Sequence, residues 1–306
     1  MAQLLIEVDV DLTREPEAVP ARHHTPFTLA AGYEPRPLVR ARVDGVELSM
    51  HVHANAGMLA MITHDAAYRV SGRRIEKEQE FGLGPDLRVS ADGRGHLDVA
   101  SLDVAGHLFP HPRLDVFNLV TNPWDGMLGL GWLHQVGAIV DFGARGVYVP
   151  EHAGEAERIV GALAADRTLV RLPLLRHAGT GRYRAQLSTG SPGTAPATFV
   201  VSTVAFCVLD SEHARRNRIP AGASGETEHG PSGTSVATHH AASPVALRAG
   251  DIGLGTTVPE IYDIYAYADV PRPADPAEQV AGYVGADYLL QHRAVLDFGD
   301  VGSYRI

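Results

Sequence analysis

The chain has 306 residues, of which 45% are hydrophobic and 20% charged, a composition typical of a globular protein with a large core. Its formal net charge of −10 makes nucleic acid and anionic membranes unfavourable partners. Cys207 is the only cysteine, which favours a reducing compartment. Residues 1–10 lack the features of a signal peptide, and no apolar run approaches the roughly 18 residues that a membrane span needs. We therefore expect a cytoplasmic protein.

Short strands separated by Gly, Pro, Asp and Asn are predicted for most of the chain. The clearest pair is a hairpin of residues 38–43 and 46–52, joined by Asp44-Gly45. An Asp-Gly pair supplies the positive φ angles that a two-residue hairpin turn requires. This pattern favours an all-β fold.

Helical signals are sparse. The strongest covers residues 154–165 and has acidic residues in its first turn, which suits the positive end of a helix dipole. Four shorter helices are predicted, after Ile62 and Leu209 and around Leu133 and Leu289. Residues 222–243 are rich in Gly, Ser, Thr and His without apolar periodicity, which predicts a mobile loop or a hairpin tip.

A block in the middle of the chain recurs at its end. Residues 126–143 and 282–299 align without a gap at an offset of 156 (282 − 126 and 299 − 143), and both contain Gly-x-x-Gly and end in Asp-Phe-Gly. A repeat of only two long copies indicates two homologous units rather than a solenoid. We predict two lobes, residues 1–150 and 151–306.

Each copy combines a hydrophobic strand, a tight glycine turn and a Gly-x-x-Gly block closed by Asp-Phe-Gly, and this arrangement resembles the aspartic-protease fold, particularly its retropepsin-like bacterial members. The resemblance implies an all-β double barrel of two lobes, with a ligand cleft between them and flap hairpins above it. It also implies that one strand of each lobe ends in Asp-Thr-Gly or Asp-Ser-Gly, the two aspartates being catalytic.

Aligning these strand ends places residues 55–57, Asn-Ala-Gly, opposite residues 202–204, Ser-Thr-Val, at an offset of 147. Neither triplet has an aspartate, so we expect both catalytic positions to be replaced. Peptide hydrolysis in this family needs two carboxylates that share a proton. Because general acid–base assistance is worth about 10² to 10⁴ in rate, we expect no useful peptidase activity. The alternative is a misaligned dyad drawn from Asp44, Asp65, Asp125 or Asp210.

Histidine is the side chain best suited to proton transfer near neutrality, and the chain has 16 of them. His51, His53 and Asn55 share one face if their strand stays extended, whereas His239 and His240 lie where the second flap is expected. The catalytic candidates are His53, Asn55, Ser202, His239 and His240, and the substrate-binding candidates are Gly57, Thr203 and Trp124. A buried structural role for His53 and a surface role for the other two histidines remain open.

No cofactor or metal is expected. His107 and His111 lie among prolines and have no third ligand nearby. Residues 250–255 lack the spacing and the following helix of a dinucleotide-binding loop. Cys207 is expected to be a small buried apolar residue rather than a nucleophile.

Two functional hypotheses follow. The first is a repurposed enzyme whose cleft holds a small molecule, such as a natural product, and catalyses cyclisation, isomerisation or elimination by acid–base chemistry at His53. The second is a non-catalytic module, a pseudo-peptidase, that binds a peptide or a partner protein. Both use the cleft, and they differ in whether a group at its centre exchanges protons with the ligand.

Overall fold

A computed structural model describes residues 1–10, 16–29, 35–83, 88–119, 123–165, 167–230 and 232–299. These residues form a mostly β protein of two lobes, as the sequence predicts. None of their helices is long and apolar enough to cross a bilayer.

The elements before residue 165 are, in chain order, β1 (Gln3–Glu7), β2 (His24–Pro26), β3 (Thr28–Leu29), β4 (Pro37–Val43), β5 (Val46–His53), β6 (Ala60–Ile62), α1 (His64–Ser71), β7 (Gly95–Asp98), β8 (Ser101–Val104), β9 (His107–Pro110), β10 (Arg113–Val116), β11 (Gly126–Gly129), α2 (Leu130–Gln135), β12 (Ile139–Asp141), β13 (Gly146–Tyr148) and α3 (Ala153–Ala164).

The later elements are β14 (Leu169–Pro173), β15 (Leu175–Arg176), β16 (Tyr183–Thr189), β17 (Ala197–Val201), β18 (Val208–Asp210), α4 (Ser211–Arg216), β19 (Ala221–His229), β20 (Ser235–Ala241), β21 (Val245–Ala249), β22 (Ile252–Thr257), β23 (Glu260–Tyr262), α5 (Ile264–Tyr267), β24 (Val280–Val284), α6 (Ala286–Gln291) and β25 (Val295–Asp297).

Each lobe has a sheet of its own, and a third sheet joins the halves. The first lobe has the order β7-β10-β6-β11-β5-β4-β8-β9 with β3 against β4, and the second has β19-β20-β23-β18-β24-β17-β16-β21-β22 with β15 against β16. The joining sheet runs β14-β1-β25-β12-β13-β2, so strands from the two ends of the chain pair side by side. The lobe boundary at residue 150 stays a prediction.

The recurring sequence block forms the same structure twice. β11, α2 and β12 are followed 156 residues later by β24, α6 and β25, whose helices start at Leu130 and Ala286 and whose last strands start at Ile139 and Val295. A side chain at Gly282 would meet the carbonyl oxygen of Val208 at 1.9 Å. Glycine is retained in this block because a neighbouring backbone crosses it too closely for any Cβ.

Most of the predicted local elements are confirmed. Asp44 (φ 47°) and Gly45 (φ 81°) form the turn between β4 and β5. The helices predicted after Ile62 and Leu209 are α1 and α4, those around Leu133 and Leu289 are α2 and α6, and residues 154–165 match α3. The polar segment 222–243, predicted as a mobile loop or a hairpin tip, differs: most of its described residues form the strands β19 and β20. The one-turn helix α5, capped by the side chain of Asp263, was not predicted because it is too short for periodicity to show.

A buried ion-pair network joins the sheet between the lobes to the segment after α3. Arg167 donates to Glu7 at 3.0 Å and to Asp141 at 3.1 Å, and its side chain is 6% exposed. A guanidinium with several donors can satisfy both carboxylates together. The network therefore ties β1 and β12 to the start of the second half.

Candidate active site

The strands β5 and β17 bring equivalent residues to the junction of the lobes. β5 runs parallel to β11 with His53 opposite Gly129, and β17 runs parallel to β24 with Val201 opposite Val284. The next residues in the second lobe are Ser202 and Gly285, and Gly285 is the 156-residue counterpart of Gly129. His53 and Ser202 therefore occupy the same position in the two lobes.

The alignment of Asn55 with Ser202 is wrong by two residues. The equivalent triplets are residues 53–55, His-Ala-Asn, and 202–204, Ser-Thr-Val, at an offset of 149. Backbone bonds after the strands agree with this register, because Leu130 donates to Ala56 at 2.7 Å and Ala286 to Ala205 at 2.8 Å. The offset of 147 applies only beyond this loop, where Ile62 pairs with Gly126 and Leu209 pairs with the equivalent Gly282, since the second loop is two residues shorter.

Thr203 joins the two loops. Its hydroxyl, 0% exposed, donates to the carbonyl oxygen of Val52 at 2.6 Å and accepts from the N–H of Ala54 at 2.9 Å. These groups flank His53, so the second lobe fixes the backbone on both sides of that residue. Thr203 was predicted to bind substrate, but its hydroxyl donates and accepts its hydrogen bonds with the backbone of the opposite lobe. Ala54 is the equivalent of Thr203 in the first lobe. Because Ala54 has no hydroxyl, it cannot make the same contact to the second lobe.

The side chains of His53 and Ser202 make the same kind of backbone contact. Nδ1 of His53 accepts from the N–H of Asn55 at 3.3 Å, so in the neutral ring the proton is on Nε2. Oγ of Ser202 accepts from the N–H groups of Val204 at 3.4 Å and Ala205 at 3.1 Å. Each side chain accepts a hydrogen bond from the second residue after it, which leaves its own hydrogen as a donor.

His53 is held as a neutral imidazole. Burial, together with the positive charges of Arg36 and Arg182, lowers its pKa from 6.5 to about 3. The guanidinium of Arg182 also donates from Nε to the carbonyl oxygen of Asn55 at 3.1 Å. A cation close to an imidazole disfavours a second positive charge, so the ring of His53 is neutral near pH 7 and offers a hydrogen-bond donor.

His51 lies behind His53 in a stack of aromatic rings. Their ring centroids are 5.4 Å apart, Trp124 lies 4.8 Å beyond His51, and Arg36 lies 5.3 Å above the Trp124 ring. His51 is 2% exposed, and its two ring nitrogens have no hydrogen-bond partner among the described residues. Trp124, predicted to bind substrate, is 3% exposed. Because His51 and Arg36 pack on its ring, Trp124 supports the site residues instead of lining the cleft.

The other predicted site residues lie apart from this centre. His239 and His240 are in β20 opposite Ile261 and Glu260 of β23. They are at the base of the β19–β20 hairpin, at least five residues from Thr234, which precedes β20, and this corresponds to about 16 Å along a strand. Gly57 is in the loop after β5, where a Cβ would lie 3.7 Å from the carbonyl oxygen of Thr180.

The four alternative aspartates have structural roles elsewhere. Asp44 lies in the β4–β5 turn, and Asp65 is in the first turn of α1. Asp125 accepts from the N–H of Ser49 at 2.8 Å, and Asp210 caps α4. None of the four is at the end of β5 or β17.

Cys207 is not placed to act as a nucleophile. It is 1% exposed, and burial raises the pKa of its thiol to about 12. A thiol reacts as the thiolate, which is not populated near neutrality at such a pKa. The expectation of a buried apolar role is confirmed.

Arg36 and Arg182 were missed from the sequence. Each is the residue immediately before an equivalent seven-residue strand, β4 or β16, and both offsets are 146 (37 to 183 and 36 to 182). Aligning these two strands would have revealed the pair, but the residues 190–196 between β16 and β17 do not repeat the Asp44-Gly45 turn that follows β4.

The chain is similar to solved structures of aspartic proteases. An aspartic proteinase from Irpex lacteus matches 92% of this chain and 98% of its own length, at 10% identity and a TM-score of 0.48. A retropepsin-like aspartic protease from Rickettsia conorii matches 38% of this chain and 82% of its own length, at 13% identity and a TM-score of 0.29. The retroviral protease-like domain of Ddi1 from Leishmania major matches 34% of this chain and 79% of its own length, at 19% identity and a TM-score of 0.26.

No protein-family model matches the chain, and no curated protein does. At such low identities the similarity concerns the fold alone. The chemistry of the site has to be argued from its own residues.

Proposed function

We propose that this protein is a non-proteolytic relative of the aspartic proteases, whose cleft binds a small-molecule or peptide-like ligand through the neutral pair His53 and Ser202. The observation that carries the proposal is the equivalence of these two residues at the ends of β5 and β17. Two carboxylates that share a proton are needed to activate water in the family. An imidazole and a hydroxyl at these positions do not supply that pair.

The pair is suited to stabilising negative charge on a ligand. Both side chains are oriented by backbone N–H groups, which leaves Nε2–H of His53 and the Ser202 hydroxyl proton as donors. Fixed donors aimed at an oxygen stabilise a developing oxyanion, and one such donor is worth about 10² to 10³ in rate in a known enzyme. The enzyme hypothesis therefore becomes a cyclisation, isomerisation or elimination assisted by polarisation of a carbonyl.

A purely binding role is the second candidate, and the low pKa of His53, about 3, favours it. At neutral pH the ring is unprotonated and does not act as a general acid. The acid–base role first expected for His53 is therefore replaced in this proposal by hydrogen-bond donation. No membrane or nucleic-acid partner is part of the proposal, and a cytoplasmic location also stays a proposal.

The peptidase question is tested with a mixed peptide library incubated across acidic and neutral pH and analysed by mass spectrometry. We expect the wild type to cleave no more than the double variant His53→Gln/Ser202→Ala. Cleavage by the wild type that this variant loses would overturn the proposal.

The binding and enzyme candidates are separated with metabolites that co-purify with the protein. His53→Gln and Ser202→Ala are each expected to reduce the amount retained, with His240→Gln as the control on β20. Conversion of a retained metabolite to a new mass by the wild type alone supports the enzyme. Retention without conversion supports the binding module, and equal retention by all four proteins contradicts a role for the pair.

A further inference from the structure

Arginines from both lobes surround the site centre. Arg36 and Arg182 precede the equivalent strands β4 and β16, and the charge of each acts on His53. One of them stacks on Trp124 and the other donates to the backbone of Asn55. Because of the duplication, each lobe contributes one arginine whose charge acts on the ring of His53.

A third arginine extends this charge along β16. Arg184 is two residues beyond Arg182, so both side chains leave the strand on the same face. Arg184 lies opposite Val200 of β17, and Val200 in turn lies opposite Tyr283 of β24. Burial and the charge of Arg182 lower the pKa of Arg184, and Nε of Arg184 is buried with no hydrogen-bond partner in the described part of the chain.

The two arginines of β16 are not neutralised by carboxylates. About half of the other described arginines have such partners, for example Arg167 with Glu7 and Arg272 with Asp210. Within the described residues, Arg182 and Arg184 have no carboxylate within ion-pairing distance. Glu278 is close enough to affect the pKa of Arg184 but forms no ion pair with it.

Partly buried cations without a counter-charge are unfavourable, and a bound anion offsets this cost. Guanidinium groups fit carboxylate and phosphate oxygens, which they can bind through two parallel hydrogen bonds. We propose that Arg182 and Arg184 form an anion site beside His53, and that the ligand of the cleft carries a carboxylate or phosphate group there.

This inference rests on the proposed function and narrows its ligand class. A peptide with its free carboxyl terminus at the centre, an organic acid and a phosphorylated metabolite all satisfy it. Nε2–H of His53 adds a neutral donor to the same group. A neutral or cationic ligand gains nothing from the guanidinium groups of Arg182 and Arg184 and does not fit.

The test is calorimetric titration of the full chain at constant ionic strength with two probes, glutarate and inorganic phosphate. We expect at least one probe to bind, and Arg182→Gln and Arg184→Gln each to weaken it by about tenfold or more, which corresponds to about 1.4 kcal/mol. Arg42→Gln, at an exposed position of β4, is the matched control and should bind like the wild type. A preference for glutarate identifies a carboxylate, and one for phosphate identifies a phosphate.

Absence of binding to either probe, or equal affinity in all four proteins, would overturn the anion site. Circular dichroism first establishes that each variant is folded. A second readout is the ¹⁵N chemical shift of the His53 ring, since a bound anion opposes the arginine charges and raises the pKa of His53 in the wild type but not in Arg182→Gln.

The outcome is independent of the peptidase test. A protein that cleaves peptides and also binds glutarate would retain the anion site and lose the proposed function. One that does neither would lose the anion site alone.

Discussion

The hydroxyl of Thr203 in the second lobe donates a 2.6 Å hydrogen bond to the carbonyl oxygen of Val52 in the first. With the N–H of Ala54 bound to the same hydroxyl, one side chain sets the position of His53. Hydrogen bonds between buried groups are worth little net when made but are costly to leave unmade. The registration of the two lobes at the site therefore depends on this threonine.

Thr203→Val keeps the shape of the side chain but removes its hydroxyl. The Val52 carbonyl and the Ala54 N–H would lose this partner in a buried place, which costs about 1–3 kcal/mol for each group. We expect the free energy of unfolding to fall by about 2–4 kcal/mol, measured by chemical denaturation. Thr203→Ser retains the hydroxyl and should cost clearly less. Equal losses in the two variants would show that packing of the methyl group, rather than the hydrogen bonds, holds the loops.

The low pKa of His53 makes stability depend on pH. The unfolded chain binds a proton near the ordinary value of 6.5, whereas the folded protein does so only at about 3. Stability is therefore fully present above 6.5 and is lost as the pH falls from 6.5 towards 3. His53→Gln keeps an acceptor for the Asn55 N–H without titrating, and it should remove on the order of 2–4 kcal/mol of this dependence.

Urea denaturation at several pH values in this window measures the effect. His240→Gln, at an exposed site on β20, is the control and should follow the wild type. Parallel curves for wild type and His53→Gln would mean that the imidazole accepts a proton in the folded protein as easily as in the unfolded chain. The buried His51, whose pKa is also lowered well below 6.5, adds acid sensitivity that His53→Gln should leave in place.

Four glycines of the repeated block are predicted not to tolerate a side chain, because a Cβ would meet backbone atoms at 1.9–2.2 Å: Gly126, Gly129, Gly282 and Gly285. A Cβ at Gly285 would lie 2.1 Å from the carbonyl carbon of Phe206 and 2.2 Å from the N of Cys207. Because these are backbone atoms, Gly285→Ala should destabilise the protein by about 3 kcal/mol or more. Gly161, exposed in α3 with no atom within 4 Å of its Cβ position, is the opposite case. Gly161→Ala should stabilise by about 0.5–1 kcal/mol, and thermal denaturation would reveal whether the signs differ.

Removing Arg167 should be costly because of what it leaves behind. Arg167→Met would abandon two buried carboxylates, Glu7 and Asp141, and breaking a buried ion pair in this way costs about 3–5 kcal/mol. Arg22→Met removes an exposed pair with Glu151, worth about 0–1 kcal/mol. Similar midpoints of urea unfolding for the two variants would contradict the importance of the buried network.

The position of His53 was predicted only in part from the sequence. The pattern His51, His53, Asn55 predicted an extended strand, and the rings of His51 and His53 do lie together, but β5 ends at His53 and Asn55 is in the turn after it. The register failed because the second loop is two residues shorter, and the loop contains no repeated residue to show where the offset changes from 149 to 147. Only the pairing of His53 with Gly129 and the contacts of Thr203 fix it.

The sequence by itself determined the features that depend on neighbours along the chain: the Asp44-Gly45 hairpin, the short helices and the duplication with its glycines. These follow from local backbone preferences and from spacing. The tertiary structure decided which side chains meet. Trp124 became a support rather than a cleft wall, and Arg36 and Arg182, 146 residues apart, came to act on one histidine. Burial and charge at a point depend on strands brought together from both halves, and no local pattern records that arrangement.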